Sequence, residues 1–337
     1  MTGNNHGAFR LAAVAAVAAV VAAVASFASP SPAANTPLKA LPPTVIPRAA
    51  GFFDYMIVDA PKHRLIVSHT GSDTVDFINT KTGALERQLY VGATHGIAID
   101  ERGGWYFVGI SGAEKGVAVI DRSTLTFLKK ISTSGPIDAL VIDPQRRTLM
   151  ADEDNGDSIW VISTTSQRVI ATVRTPVDSD KAEYDPVSDR VYQNFTTINA
   201  MIVFDPSSFR ELARYSTLPA TKPHGLAIDA AQHRLFAAGT NGKLVVLDME
   251  TGRRVTSVAI ASRSDQIALD LRRHRLYCAS GDGILSVLDE TTGSAKLIAK
   301  VAVPRGAHTI AVDPTTGAVW ISYGTERDDF VMKLLPE

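Results

Sequence analysis

The chain has 337 residues, with 34 Lys plus Arg against 35 Asp plus Glu and a net charge of −1. That balance provides no basic surface for nucleic acid or an anionic membrane. The single cysteine, Cys278, excludes an internal disulfide framework and any multi-cysteine metal centre; within Leu276-Tyr-Cys-Ala279 it reads as a small core residue.

At the N-terminus, Arg10 precedes an apolar run from Leu11 to Ala28, and Ser29-Pro-Ser-Pro-Ala-Ala34 follows. A positive start, an apolar middle and a small-residue end read as an export signal over residues 1–34, which places the mature chain in the periplasm or outside the cell. The run is barely long enough to span a bilayer, so an uncleaved anchor is the alternative. Residues 35–42 read as an extended linker, and 43–337 as a single domain.

The domain is a repeat. Short apolar runs end in Asp59, Asp100, Asp143, Asp185, Asp229, Asp270 and Asp313, at gaps of 41, 43, 42, 44, 41 and 43 residues. After each aspartate come a turn and a second apolar run, such as Trp105-Tyr-Phe-Val108 or Arg234-Leu-Phe-Ala237. A third run often ends in Asp, as in Val117-Ala-Val-Ile-Asp121 and Leu244-Val-Val-Leu-Asp248, and a more polar fourth run closes the unit, as in Arg168-Val-Ile-Ala-Thr-Val173. Four strands rich in Val, Ile and aromatics per repeat of this length predict an all-β, seven-bladed β-propeller of four antiparallel strands per blade. The last repeat stops after its third strand, so Pro43-Thr-Val-Ile-Pro47 is expected to supply the missing outer strand and close the ring.

The motif Pro223-His-Gly-Leu-Ala-Ile-Asp229, with Leu244-Val-Val-Leu-Asp248, Thr251-Gly252 and the Asp313-Pro314 turn, resembles the repeat of the YVTN-repeat β-propellers over roughly residues 43–335. The resemblance implies the same fold and says little about activity, because propellers serve as enzymes, lectins and scaffolds alike.

The functional signal lies five residues before each strand-ending aspartate, where the chain enters the central channel. These positions are Asp54, His95, Asp138, Asp180, His224, Asp265 and His308, all Asp or His. His224, Asp265, His308, Asp54 and His95 form one alternating arc across the ring closure and are the metal-ligand candidates; Asp138 and Asp180 complete the ring. Imidazole and carboxylate together suit one divalent transition-metal ion of unspecified identity. Without an ion, crowded carboxylates should repel and some pKa values should rise. The competing reading is a solvated polar channel in which each His pairs with a flanking Asp.

Loops after the second strands open on the same face and carry His69, Asp152, Glu153, Asp154, Asn194, Tyr323 and Arg327. His69, Glu153, Asn194 and Tyr323 are the candidates for a surrounding layer, with Glu153 as a general base if the site hydrolyses or eliminates. Alternatively, Asp152-Glu-Asp-Asn-Gly-Asp157 is a solvated acidic turn. His63, His233 and His274 lie in turns on the opposite face and read as structural. There is no Gly-x-Ser-x-Gly elbow, phosphate-binding glycine loop or haem-attachment motif. The expected function is a monomeric, exported binding propeller with a metal at its channel face, taking a small molecule or a protein there; the alternative is a metal-dependent lyase, lactonase or oxidoreductase.

Overall fold

The structure, a computed structural model, describes residues 37–47 and 51–337. The export signal read over residues 1–34 lies outside the described residues.

Seven antiparallel sheets follow one another along the chain. Their first strands are Met56–Asp59, Thr94–Asp100, Ile137–Asp143, Ser179–Asp185, Pro223–Asp229, Ser264–Asp270 and Thr309–Val312, and these define blades 1 to 7. Each first strand packs against the first strand of the next blade, and blade 7 against blade 1, so the ring is closed. There is no α-helix among the described residues, only the short 3-10 turns Ala60–Lys62 and Thr70–Ser72, and no helix among them is long and apolar enough to cross a membrane.

The strand-ending aspartates explain the period. All are buried, between 1% and 5% exposed. Each carboxylate accepts backbone N–H groups of the following turn: Asp100 from Gly103, Asp143 from Gln145 and Arg146, Asp229 from Gln232, Asp313 from Thr315 and Thr316. A short acceptor here satisfies turn amides that no ladder reaches. Four residues after the aspartate the backbone enters the left-handed region, at His63, Arg147, Asp189, His233 and His274 among others. The turn histidines are therefore conformational residues, as read from sequence.

Packing follows from stacking the sheets. Second and third strands are covered on both faces, so Trp105–Ile110 and Gly116–Asp121 are buried almost throughout, while the outer strand Arg168–Arg174 alternates with solvent. Seven apolar clusters fill the seams between successive blades. The seam between blades 7 and 1 holds Trp320, Leu65, Val67, Phe53 and Ile46. Cys278 is buried in the seam between blades 5 and 6, and burial pushes its thiol pKa up.

The N-terminal segment closes blade 7 as expected, but it joins earlier. Thr44–Ile46 pairs with Asp329–Val331, and Leu38–Ala40 already pairs with Leu334–Pro336. Part of the stretch read as a linker over 35–42 is thus strand, anchored by Leu38 in the seam between blades 6 and 7. Pairing removes the open edge of the last sheet.

Candidate functional site

Six of the seven opener residues, Asp54, His95, Asp138, Asp180, His224 and Asp265, line one cavity of about 270 Å³ at the channel mouth. His308 stands beside it: its Nδ1 lies 2.7 Å from the Gly306 carbonyl, its ring is tilted near Phe52, and its Nε2 is 3.8 Å from Asp265 Oδ2.

The ring divides into two groups. In the first, His95 Nδ1 lies 2.6 Å from Asp54 Oδ2 and 3.4 Å from Asp138 Oδ1. In the second, His224 Nδ1 pairs closely with Asp180 Oδ2 and lies 3.9 Å from Asp265 Oδ1. The arc of five read from sequence is therefore broken. Asp138, placed there only in the ring, joins Asp54 and His95, whereas His224, Asp265 and His308 do not gather with them.

Local sequence explains this division. Gly96 follows His95, and Gly225 follows His224. A Cβ on Gly96 would fall 2.4 Å from the Asp138 carbonyl oxygen, and one on Gly225 2.7 Å from that of Asp265. Only glycine allows the next blade's first strand so near, which brings its aspartate beside the histidine. His308 is followed by Thr309, whose hydroxyl instead donates to the Asp54 carbonyl at 3.2 Å.

Other side chains clamp the opener backbone. Ser68 donates to the His95 carbonyl. Gln193 donates to the Asp180 carbonyl and to Asp152, each at 3.1 Å. Asn194 donates to the carbonyls of His224 at 3.3 Å and Gly225 at 3.0 Å. Gln266 donates to the Asp54 carbonyl. Asn194 was a candidate for the surrounding layer; Ser68, Gln193 and Gln266 were missed, because single polar residues in apolar strands carry no periodic signal.

The remaining candidates lie elsewhere. His69 is fully buried between blades 1 and 7, with Nδ1 3.0 Å from Asp76, Nε2 2.8 Å from Asp329 and its ring stacked on Phe53. Tyr323 is buried and stacks on Phe330. Glu153 folds over Gly135 and Gly156 and is not among the residues lining the cavity. Arg327 is exposed in the loop after Gly324. The Asp152–Asp157 stretch is not simply a solvated turn: Asp152 is 1% exposed, and Asp154 lines the cavity.

Electrostatics follow the crowding. Burial opposes charge on His95, but hydrogen bonds to Asp138 and Asp54 outweigh it and raise the pKa to about 10. His224 is likewise penalised by burial and raised to about 9 by Asp180. Burial, reinforced by Asp180 and Asp54, pushes Asp138 up to about 8 against the pull of His95. Burial lifts Asp265 to about 6 despite His308 and His224. The expected rise in carboxyl pKa values is present, with desolvation as its larger cause and repulsion second.

One ligand atom each from Asp54, His95 and Asp138 lies within 4.8 Å of the others. Ligand atoms bound at about 2.0–2.2 Å to one ion sit about 3–4 Å apart, so for this group to hold a small divalent cation the hydrogen-bonded His95–Asp54 pair, at 2.6 Å, has to open and the wider pairs have to close. Asp229, His274 and Glu290 make a similar group on the opposite face, but Gln232 already bridges Glu290 at 2.6 Å and Asp229 at 3.0 Å.

Fold and site define a closed seven-bladed β-propeller whose channel mouth is built of carboxylate and imidazole. No family model and no curated protein matches the chain. Solved structures share the fold. A chain of the mitotic checkpoint complex is similar with a TM-score of 0.74 at 14% identity, over 93% of this chain and 98% of that one. A chain of Kuenenia stuttgartiensis hydrazine synthase gives 0.73 at 14% identity, over 86% and 96%. U3-55K gives 0.74 at 8% identity, over 89% and 98%. At such identities the likeness concerns the fold alone.

Proposed function

We propose that this chain is an exported, YVTN-type binding propeller that holds one divalent transition-metal ion at its channel mouth through Asp54, His95 and Asp138. All three residues line the cavity, so an ion they held would be reached from it by a donor atom of a small molecule or a protein side chain. The observation that carries this reading is the convergence of the three ligand atoms, from consecutive blades, within 4.8 Å. Two carboxylates and one imidazole suit Zn, Mn or Fe. Export rests on the pattern of Arg10, the apolar run to Ala28 and the small residues to Ala34. Metal-dependent catalysis is the alternative; Glu153, the base read for it, packs against Gly135 and Gly156 and does not line the cavity.

The test is metal content by mass spectrometry on untagged mature protein, followed by equilibrium dialysis with Mn²⁺ and Zn²⁺. One equivalent bound at micromolar affinity or better is expected. Substitutions His95→Ala and Asp138→Asn abolish it, and His233→Ala leaves it intact. Equal binding by wild type and Asp138→Asn, or none by wild type, sinks the proposal.

A further inference from the structure

The cavity already contains a cation of the protein's own. Lys181, in the first strand of blade 4, is the one Lys or Arg among the residues lining it. Its ammonium lies 5.3 Å from the ring centroid of Tyr55, which belongs to blade 1 across the channel. The corresponding residue after the opener is Ala139 in blade 3 and Gly225 in blade 5, the two neighbouring blades. The long side chain therefore reaches across the channel onto an aromatic face, an arrangement that stabilises a partly desolvated ammonium, and its charge also acts on the buried Glu183 carboxyl two residues further along the strand. The backbone N–H of Lys181 donates to Asp180 Oδ1 at 2.6 Å, which holds the start of the side chain at the mouth. A carboxylate-lined cavity with an alkylammonium seated in it is a cation site with part of its room taken.

We propose that Lys181 is the mouth's internal counter-ion and its specificity-determining residue. Its ammonium occupies the place of an organic alkylammonium, so the native mouth admits a compact metal ion and refuses primary amines. This inference rests on the reading of the mouth as a cation site.

The test compares Mn²⁺ affinity in wild type, Lys181→Ala and Lys181→Met, with and without propylammonium, which matches the side chain removed by the alanine substitution. Removing the charge is expected to tighten Mn²⁺ binding about tenfold in both variants, the scale of one like-charge repulsion at cavity distances. Propylammonium should weaken Mn²⁺ binding to Lys181→Ala and leave wild type unaffected. Lys181→Met preserves the side-chain length, so it tests the charge even if the alanine variant does not fold. If wild type binds Mn²⁺ and both variants bind it equally well, or if propylammonium has no effect on Lys181→Ala, the role of Lys181 is overturned while the metal site stands. If none of the three proteins binds Mn²⁺, both fall.

Discussion

Gly96 packs so closely on Asp138 that a Cβ at Gly96 would lie 2.4 Å from the Asp138 carbonyl oxygen and 2.7 Å from the Leu140 amide. Both contacts are backbone, so no rotamer change relieves them. Gly96→Ala must push the first strands of blades 2 and 3 apart and withdraw Asp138 from His95. The expected outcome is a destabilisation of about 1–3 kcal/mol and a loss of metal affinity of about tenfold or more, from lengthening a ligand distance in a site that tolerates little. Urea unfolding and Mn²⁺ dialysis on the same preparation measure both; unchanged affinity would separate the glycine from the site.

On the opposite face, Asp59 is held by Arg122 from blade 2 through two hydrogen bonds, at 2.6 and 2.7 Å, and by the Tyr106 hydroxyl at 2.6 Å. Burial raises the Asp59 pKa, and these partners more than reverse it. Arg122→Met leaves a carboxylate that is 1% exposed without its cation. A cost of about 3 kcal/mol is expected from breaking a buried pair on one side. Chemical denaturation checks it, and a change below 1 kcal/mol (about the value of a surface pair) would contradict the assignment.

His69 joins the first and last blades through Asp76 and Asp329. Burial lowers its pKa, but the two carboxylates outweigh that and raise it above the ordinary 6.5. A histidine whose folded pKa is raised contributes its full stability below the unfolded value and loses it as pH rises through the folded one. The stability advantage of wild type over His69→Gln is therefore greatest at pH 6 and below, and it shrinks in alkaline buffer. Urea midpoints across that range test the sign; an advantage that grows with pH would refute it.

Ring closure depends on residues 38–46, which pair with the last strand and bury Leu38 and Ile46. A chain lacking residues 36–47 exposes the edge of Asp329–Pro336 and removes Ile46 from the seam with blade 1. Ile46→Ala alone should cost about 2–5 kcal/mol, the range for large-to-small changes in packed cores. The truncated chain should associate through its open edge. Size-exclusion chromatography with light scattering would show this, and a stable truncated monomer would argue against closure by this segment.

Much of the fold was legible because its signals are local. The aspartate period reports turn amides satisfied within three residues, as at Asp143 and Asp313. The apolar runs report strands covered on both faces. The mouth positions were legible from a constant offset before those aspartates. The surrounding layer was not. His69 and Tyr323 end second strands on the mouth face, yet their side chains turn into interblade seams. Position along a strand does not say which neighbouring blade a side chain enters.

The sequence by itself determined the all-β repeat, its seven units and the Asp and His at every entry to the channel, because turn chemistry and strand patterning act over a few residues. Only the tertiary structure decided that Asp138 joins Asp54 and His95, that His308 stands aside, and that Lys181 reaches across to Tyr55. Those relationships link strands one or more blades apart. Their distances are set by closure of the ring and by the room that Gly96, Gly225 and Thr309 leave between first strands, and no single repeat contains that information.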